Sequence, residues 1–322
     1  MRLLLLAFFI FSSAKALAVT PEEVLNWSGS DFKLSEIFKS LNLNFDTRYQ
    51  IGDEWGKKPV TDQDMRSDVH FARMATATAR VRGGGTGFYL GEFNGRFVVA
   101  TNHHVCPSAM QCSGQDAIDF PILGFKSKII EFYGSWPEID LSLFAIEVND
   151  ANMVNELNSI SSPFAFHNDL QHAAPLVTIG FGIANNYARQ LVANRDSDCV
   201  VFSADAEYRL MADPDDLNPG EYKAWSFANG CDVSHGDSGS AMMDRASGSV
   251  VGIIWTGRIP KSRKVQSSAY LAELLKTPNE DIWKELSYGV PAVHMFQYLN
   301  AQVANGGIEK AHMPTIQALL SQ

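Results

Sequence analysis

The sequence predicts an all-β fold. From about Ala75 onwards, short runs of β-branched and aromatic residues alternate with turns that contain glycine. The clearest strand candidates are "GTGFYL", "GRFVVATN", "KSKIIEFYG", "DLSLFAIEV", "APLVTIGFG", "CVVFSA", "GSAMMD" and "GSVVGIIWTG". Short strands with turn signals between them are typical of a β-barrel or a β-sandwich, and no βαβ rhythm accompanies them. We therefore expect antiparallel sheets around a sizeable core.

The chain divides into an N-terminal segment and two β units. Residues 19–68 are mixed in character and form either a pro-segment or an N-terminal extension of the fold. We assign residues 69–155 and 156–322 to the two β units, because 322 residues suit two domains or one large β domain. The second unit ends in a predicted helix, since "VPAVHMFQYLNAQV" has helical apolar spacing and Pro291 suits an early helical position.

Residues 1–18 have the pattern of a signal peptide. Arg2 precedes an apolar run from Leu3 to Phe11, and Ala16–Ala18 fits the small-residue pattern that signal peptidase accepts. This run is about half the length of a membrane-spanning helix, which needs about 20 apolar residues. We expect a secreted or periplasmic protein, with no membrane anchor after the signal is removed.

Charge and composition exclude several kinds of partner. The formal net charge is -10 at pH 7, whereas nucleic-acid binding depends largely on clustered Lys and Arg that neutralise phosphates. The densest basic stretch, "PKSRK", is more typical of an exposed loop. No calcium-loop pattern of the D-x-D-x-D-G type is present. We expect no nucleic-acid partner, no metal ion and no cofactor.

Four cysteines are available for disulfides in an exported protein. They allow three pairings, and the sequence alone does not select one. We favour a short loop between Cys106 and Cys112 and a long one between Cys199 and Cys231. A zinc site is the competing interpretation, but the C-x-x-C spacing typical of such sites is absent.

The segment "HGDSGS", His235–Ser240, contains a serine with short neighbours on both sides. A serine hydroxyl becomes a good nucleophile only when a base takes its proton and a third group orients that base. His103 and His104 follow the strand candidate "GRFVVATN", and Asp140 begins the apolar run "DLSLFAI". These residues are the candidates for base and orienting acid.

The blocks "TNHHV", "DLSLFAI" and "GDSGS", in this order, resemble the His, Asp and Ser blocks of the chymotrypsin-fold (trypsin-like) serine peptidases. The resemblance covers roughly residues 70–300. It implies two packed six-stranded antiparallel β-barrels with a C-terminal helix. It also implies that His104 is the general base, Asp140 its orienter and Ser238 the nucleophile.

An α/β-hydrolase also uses an activated serine, but its motif is G-x-S-x-G and its histidine follows the serine. Here Ser240 stands at the second glycine position, and only His294 and His312 come later in the chain. The order of the blocks and the missing βαβ rhythm count against this fold.

The resemblance also implies an oxyanion hole and a substrate pocket. The backbone N–H groups of Gly236 and Ser238 would stabilise the negative charge that develops on the substrate carbonyl oxygen. Asp232 would lie at the base of the pocket and Gly257 at its open mouth, which favours cleavage after Lys or Arg. Cys231 departs from the family's spacing, and an exposed loop position is the alternative for Asp232.

These expectations describe a monomeric serine endopeptidase that acts on a protein or peptide substrate. The alternatives are a catalytically silent binding protein on the same fold and a regulatory peptidase restricted to one partner. In trypsin-like relatives, the acid before the serine, here Asp237, pairs with an N-terminus that activation has freed. No typical activation sequence is visible, and self-cleavage near Arg66 is one hypothesis for a zymogen.

Overall fold

The structure is a computed structural model that describes residues 48–82, 84–182, 190–214, 223–277 and 282–322. The predicted signal peptide and residues 19–47 of the next segment lie outside the described residues. All described residues belong to one compact unit. Within the described ranges, no helix combines the length and the apolar character needed to cross a membrane.

The first sheet has seven antiparallel strands in the order β6-β5-β2-β3-β4-β8-β7. Its strands are β2 Thr78–Val81, β3 Gly85–Phe93, β4 Arg96–Thr101, β5 Ile118–Phe120, β6 Phe125–Ser127, β7 Ile129–Trp136 and β8 Leu141–Ile146. Strand β4 lies between β3 and β8, with Thr101 opposite Gly87 on one side and Ser142 on the other. The polar turn after β4 therefore lies beside the start of β8.

The second sheet has eight strands in the order β1-β10-β9-β13-β14-β15-β12-β11. Its strands are β1 Lys57–Pro59, β9 Leu176–Gly180, β10 Val192–Asn194, β11 Arg209–Ala212, β12 Lys223–Asn229, β13 Ala241–Asp244, β14 Val250–Gly257 and β15 Ser287–Pro291. Strand β1 pairs with β10 through Lys57 opposite Asn194. The segment that contains β1 is thus an integral part of the second sheet.

Short helices connect and cover the sheets. They are α1 Asp62–Ser67, α2 Val69–Ala77, α3 Ala109–Cys112, α4 Ala151–Ser159, α5 Ser268–Lys276, α6 Ile282–Glu285, α7 Ala292–Asn305 and α8 Met313–Leu320. Helix α7 begins directly after Pro291, ends at Gly306 with φ 72°, and packs on β14 and β15. This is the predicted C-terminal helix, and α8 follows it.

The predicted all-β class is confirmed by these two antiparallel sheets. The strand counts among the described residues, seven and eight, differ from the predicted six and six, because short strands such as β1 and β10 join the second sheet. Of the N-terminal segment 19–68, the part from residue 48 onwards belongs to the fold.

Both predicted disulfides are formed, between Cys106 and Cys112 and between Cys199 and Cys231. All four cysteine residues are buried. The long disulfide fixes the chain directly before Asp232 and the "HGDSGS" segment.

Candidate active site

His104 and Asp140 form a close pair at the edge of the first sheet. The backbone N–H of His104 donates to Asp140 Oδ1 at 3.1 Å, and His104 Nδ1 lies 2.9 Å from Asp140 Oδ2. Asn102 Nδ2 donates to the Asp140 carbonyl oxygen at 2.9 Å. Because β4 and β8 are neighbours, the turn after one strand meets the residue that precedes the other.

The backbone of Asp140 has an unusual conformation. It ends a 3-10 turn over Pro137–Ile139 and has φ 37° and ψ 47°, in the left-handed region. Aspartate tolerates this region better than most residues with a side chain. The turn aims a completely buried carboxylate at His104 instead of into the sheet.

The electrostatic setting of His104 favours its protonated form. Burial would lower the pKa of His104, but the charge of Asp140, its hydrogen bond with the ring and the charge of Asp213 raise that pKa above its ordinary value. The His104 side chain is 38% exposed. With Nδ1 held by Asp140, Nε2 is the nitrogen left to exchange a proton with a substrate or a nucleophile.

His103 has different partners. Its Nδ1 lies 2.6 Å from Ser135 Oγ, and burial lowers its pKa despite the charge of Asp140. Of the two histidines that the sequence offers, the structure therefore brings His104 together with Asp140.

Thr86, in β3, connects the Ser238 loop to the strand that leads to His104. The Thr86 N–H donates to the Ser238 carbonyl oxygen at 2.8 Å, and its Oγ1 donates to the Gly236 carbonyl oxygen at 2.7 Å. Thr101 Oγ1, at the end of β4, donates to the Thr86 carbonyl oxygen at 2.6 Å. Ser238 is partly exposed.

Two backbone N–H groups of this loop are available to an external acceptor. The N–H groups of Asp237, Gly239 and Ser240 donate to carbonyl oxygens. Those of Gly236 and Ser238 have no acceptor within the part of the chain that the structure describes. Gly236 has φ 95°, which favours glycine. The two free donors alternate with bonded ones, which suits an oxyanion hole.

Asp237 is the centre of a buried polar cluster. Its Oδ2 accepts from Lys57 Nζ, from the Ser234 N–H at 2.8 Å and from Ser234 Oγ at 2.9 Å. Its Oδ1 accepts from the Gly182 N–H at 3.1 Å. A side chain at Gly182 would collide with this cluster. The sequence alone does not reveal this partner, because nothing in "GKKP" distinguishes a buried lysine from an exposed one.

Asp232 does not have the setting that the sequence predicts. It is 1% exposed, and its two oxygens accept the N–H groups of Ile51 at 2.6 Å and Gly56 at 2.7 Å. Burial and the charge of Asp196 raise its pKa well above the ordinary value, against the opposing effect of these N–H groups and of Lys57. These contacts do not support a role at the base of a substrate pocket, since both oxygens already bind the chain itself. An exposed loop position, the alternative for Asp232, does not agree with this burial.

Gly257, the other predicted pocket residue, lies beside a buried cation. A Cβ atom at Gly257 would be 3.1 Å from Lys261 Nζ and 3.1 Å from Ser287 Oγ. Lys261 Nζ donates to the Leu286 carbonyl oxygen and to Ser287 Oγ.

The two antiparallel sheets are those of a double β-barrel, and His104, Asp140 and Ser238 follow one another along the chain. The chain has a chymotrypsin-like fold. No protein-family model and no curated protein matches the chain. Within the described ranges, no group of three or more His, Cys, Asp or Glu side chains could hold a metal ion.

Solved structures similar to this chymotrypsin-like chain include forms of the Rv3671c protease from M. tuberculosis. Its active form has 15% sequence identity and a TM-score of 0.45, covering 79% of this chain and 90% of that chain. An inactive form has 19% identity and a TM-score of 0.43, covering 69% and 98%. A serine-to-alanine variant, also inactive, has 17% identity and a TM-score of 0.40, covering 69% and 97%.

Proposed function

We propose that the protein is a serine endopeptidase in which Ser238 is the nucleophile, His104 the general base and Asp140 its orienter. The observation that carries the proposal is the doubly bonded His104–Asp140 pair. The free N–H groups of Gly236 and Ser238 support it. The structurally similar proteins named above are proteases by name.

The proposed reaction has two stages. Ser238 Oγ attacks the substrate carbonyl carbon while His104 Nε2 takes the hydroxyl proton, and the Gly236 and Ser238 N–H groups stabilise the resulting oxyanion. The C–N bond then breaks as His104 returns the proton to the leaving amine, which leaves an acyl-enzyme. Water, deprotonated by His104, attacks the ester in the second stage and releases the acid product and Ser238.

We do not extend this proposal to a preference for Lys or Arg before the scissile bond. Such a preference needs an accessible carboxylate in the pocket, whereas Asp232 is buried and bonded to Ile51 and Gly56.

We place the enzyme outside the cytoplasm, as a secreted or periplasmic monomer acting on protein or peptide substrates. Two buried disulfides fit an oxidising compartment. The signal-peptide pattern of residues 1–18 supports export.

The test combines a fluorophosphonate probe, which labels activated serines, with cleavage of a proteome-derived peptide library. Ser238→Ala is expected to abolish labelling and to lower kcat by about 10⁶-fold, as for an activated serine nucleophile. Ser240→Ala is the matched control, because Ser240 is fully buried and its hydroxyl has no hydrogen-bond partner among the described residues. Labelling and cleavage that survive Ser238→Ala would contradict the proposal, and a folded wild-type protein that does neither would indicate a catalytically silent binding protein.

A further inference from the structure

The Asp237 carboxylate forms an ion pair with Lys57, a cation of the same chain. We propose that Lys57 is a positioning residue that holds the Ser238 loop in its active arrangement, in the place where trypsin-like relatives use an N-terminus freed by cleavage. This inference rests on the proposed function, because it assigns Lys57 to the same site. It implies that the enzyme is active without cleavage between Lys57 and the first sheet.

Burial makes the pair of Lys57 and Asp237 obligatory. Their side chains are only 3% and 6% exposed, and Lys57 Nζ donates directly to Asp237 Oδ2. A buried charge is stable only when it is paired and hydrogen-bonded. Without Lys57, the Asp237 carboxylate would keep its hydrogen bonds from Ser234 and Gly182. It would lose the one cation that contacts it among the described residues. We therefore expect the side chain to move towards solvent.

A movement of Asp237 would disturb the chemistry directly. Asp237 stands between Gly236 and Ser238, the two residues whose N–H groups are free to bind an oxyanion. Its own backbone closes the loop, since its N–H donates to Ser234 at 3.0 Å and its carbonyl oxygen accepts from Ser240 at 2.8 Å. We therefore expect a shift of the Asp237 side chain to displace the adjacent N–H groups of Gly236 and Ser238.

The segment that carries Lys57 is fixed at two further points. Strand β1 pairs with β10, and Asp232 binds the N–H groups of Ile51 and Gly56. Asp232 and Asp237 lie close together in the sequence, and both bind this N-terminal segment. Cleavage near Arg66 would separate this segment covalently from the rest of the enzyme, so we expect it to weaken activity instead of creating it.

The experiment compares Lys57→Met with Lys58→Met in the full chain. Lys58 is the matched control because it is the neighbouring lysine of β1 and its side chain is exposed. We expect Lys57→Met to lower kcat by about 100-fold, the effect of losing an oxyanion donor, with a smaller change in KM. Lys58→Met is expected to behave as wild type. Equal kcat values in the two variants would overturn the inference.

A double variant, Lys57→Met with Asp237→Asn, distinguishes two explanations of a low kcat. One is the loss of the positioning role of Lys57, and the other is the unpaired buried charge that Lys57→Met leaves on Asp237. We expect it to regain part of the unfolding temperature lost in Lys57→Met while its kcat stays low. Recovery of kcat in this neutral variant would overturn the inference, because burial of charge alone would then explain the single variant.

Hydrogen exchange of the backbone N–H groups of residues 234–240 tests, without any substrate, whether Lys57 holds this loop. We expect faster exchange in Lys57→Met and unchanged exchange in strand β8. If the wild-type and Lys58→Met proteins neither cleave peptides nor react with the probe, the proposed function fails. In that case, faster exchange in Lys57→Met still supports the loop-holding role, and unchanged exchange overturns it.

Discussion

His104 and Asp140 determine how the proposed reaction depends on pH. A general base must be neutral, and the pKa of His104 is raised in the folded protein. Activity should therefore increase with pH through a midpoint above about 6.5, the ordinary pKa of histidine. Asp140→Asn removes a charge and reorders the hydrogen bond, so we expect a lower midpoint and a kcat reduced by about 10⁴-fold.

The measurement is kcat/KM between pH 5 and 9, with Asp213→Asn as the comparison. Asp213 also raises the pKa of His104, but only through its charge, which has less influence than Asp140. Asp213→Asn should shift the midpoint slightly downwards and leave most of the activity. A midpoint that Asp140→Asn leaves unchanged would contradict the assignment of this pair.

Asp232 should matter for stability and not for selectivity. Asp232→Asn replaces one acceptor oxygen by a donor that faces the N–H of Ile51 or Gly56. We expect a loss of about 1–3 kcal/mol in the free energy of unfolding, the usual cost of leaving a buried donor unsatisfied. Chemical denaturation measures it, and peptide-library profiling should show the same distribution of cleavage sites. An altered distribution at unchanged stability would restore the predicted pocket role.

The strand patterns offered His103, His104 and Asp140 as candidates, and the resemblance to trypsin-like peptidases selected His104 over His103. Lys57 was not predictable, because a lysine in a polar context has no sequence signal that distinguishes a buried partner from a solvated one. The resemblance implied the pocket role of Asp232, but the N–H groups that bind this acid come from residues about 180 positions earlier. Only the folded chain brings those donors to it.

The two disulfides should contribute unequally to stability. They close loops with sequence separations of 6 and 32 residues. In the chain-entropy account, a longer loop restricts the unfolded state more, and the difference here is about 1.5 kcal/mol. We expect Cys199→Ala with Cys231→Ala to lower the free energy of unfolding by about 3.5 kcal/mol, against about 2 kcal/mol for the pair at Cys106 and Cys112.

Denaturant unfolding of the two double variants and the wild-type protein measures this difference. The shorter loop serves as the control for the removal of two buried cysteines. A larger loss from the variant at Cys106 and Cys112 would show that local packing outweighs the entropy of the unfolded chain.

Long elements were predictable, and short ones were not. Helix α7 follows from the apolar spacing of "VPAVHMFQYLNAQV", and strands β4, β8 and β14 follow from continuous apolar runs. Strands β1 and β10 have three residues each, and they form by pairing with distant segments: β1 pairs with β10, and β10 pairs with β9 as well. Such pairing between distant segments leaves no periodic pattern in either segment, so residues 48–60 could not be assigned to the second sheet in advance.

Thr86 joins the two halves of the molecule at the site. Its Oγ1 accepts the Phe181 N–H at 3.0 Å and donates to the Gly236 carbonyl oxygen, while the rest of its strand belongs to the first sheet. Thr86→Val keeps the shape and removes both hydrogen bonds. We expect a loss of about 1–3 kcal/mol in stability and a reduced kcat.

Thr76→Val is a suitable comparison, because Thr76 Oγ1 donates only to the preceding turn of its own helix, at Ala72. Thermal unfolding and kcat of the two variants give the result. A Thr86→Val enzyme with normal kcat would show that the Ser238 loop keeps its position without this link between the sheets.

The ion pair between Lys57 and Asp237 spans 180 positions of the chain. Contacts of this separation form slowly, because the intervening chain must be ordered before its ends can meet. During synthesis, Lys57 emerges long before Asp237, and strands β13, β14 and β15 of the second sheet follow only after Asp237. We therefore expect the proposed site to assemble late in folding, and an incomplete chain to lack it.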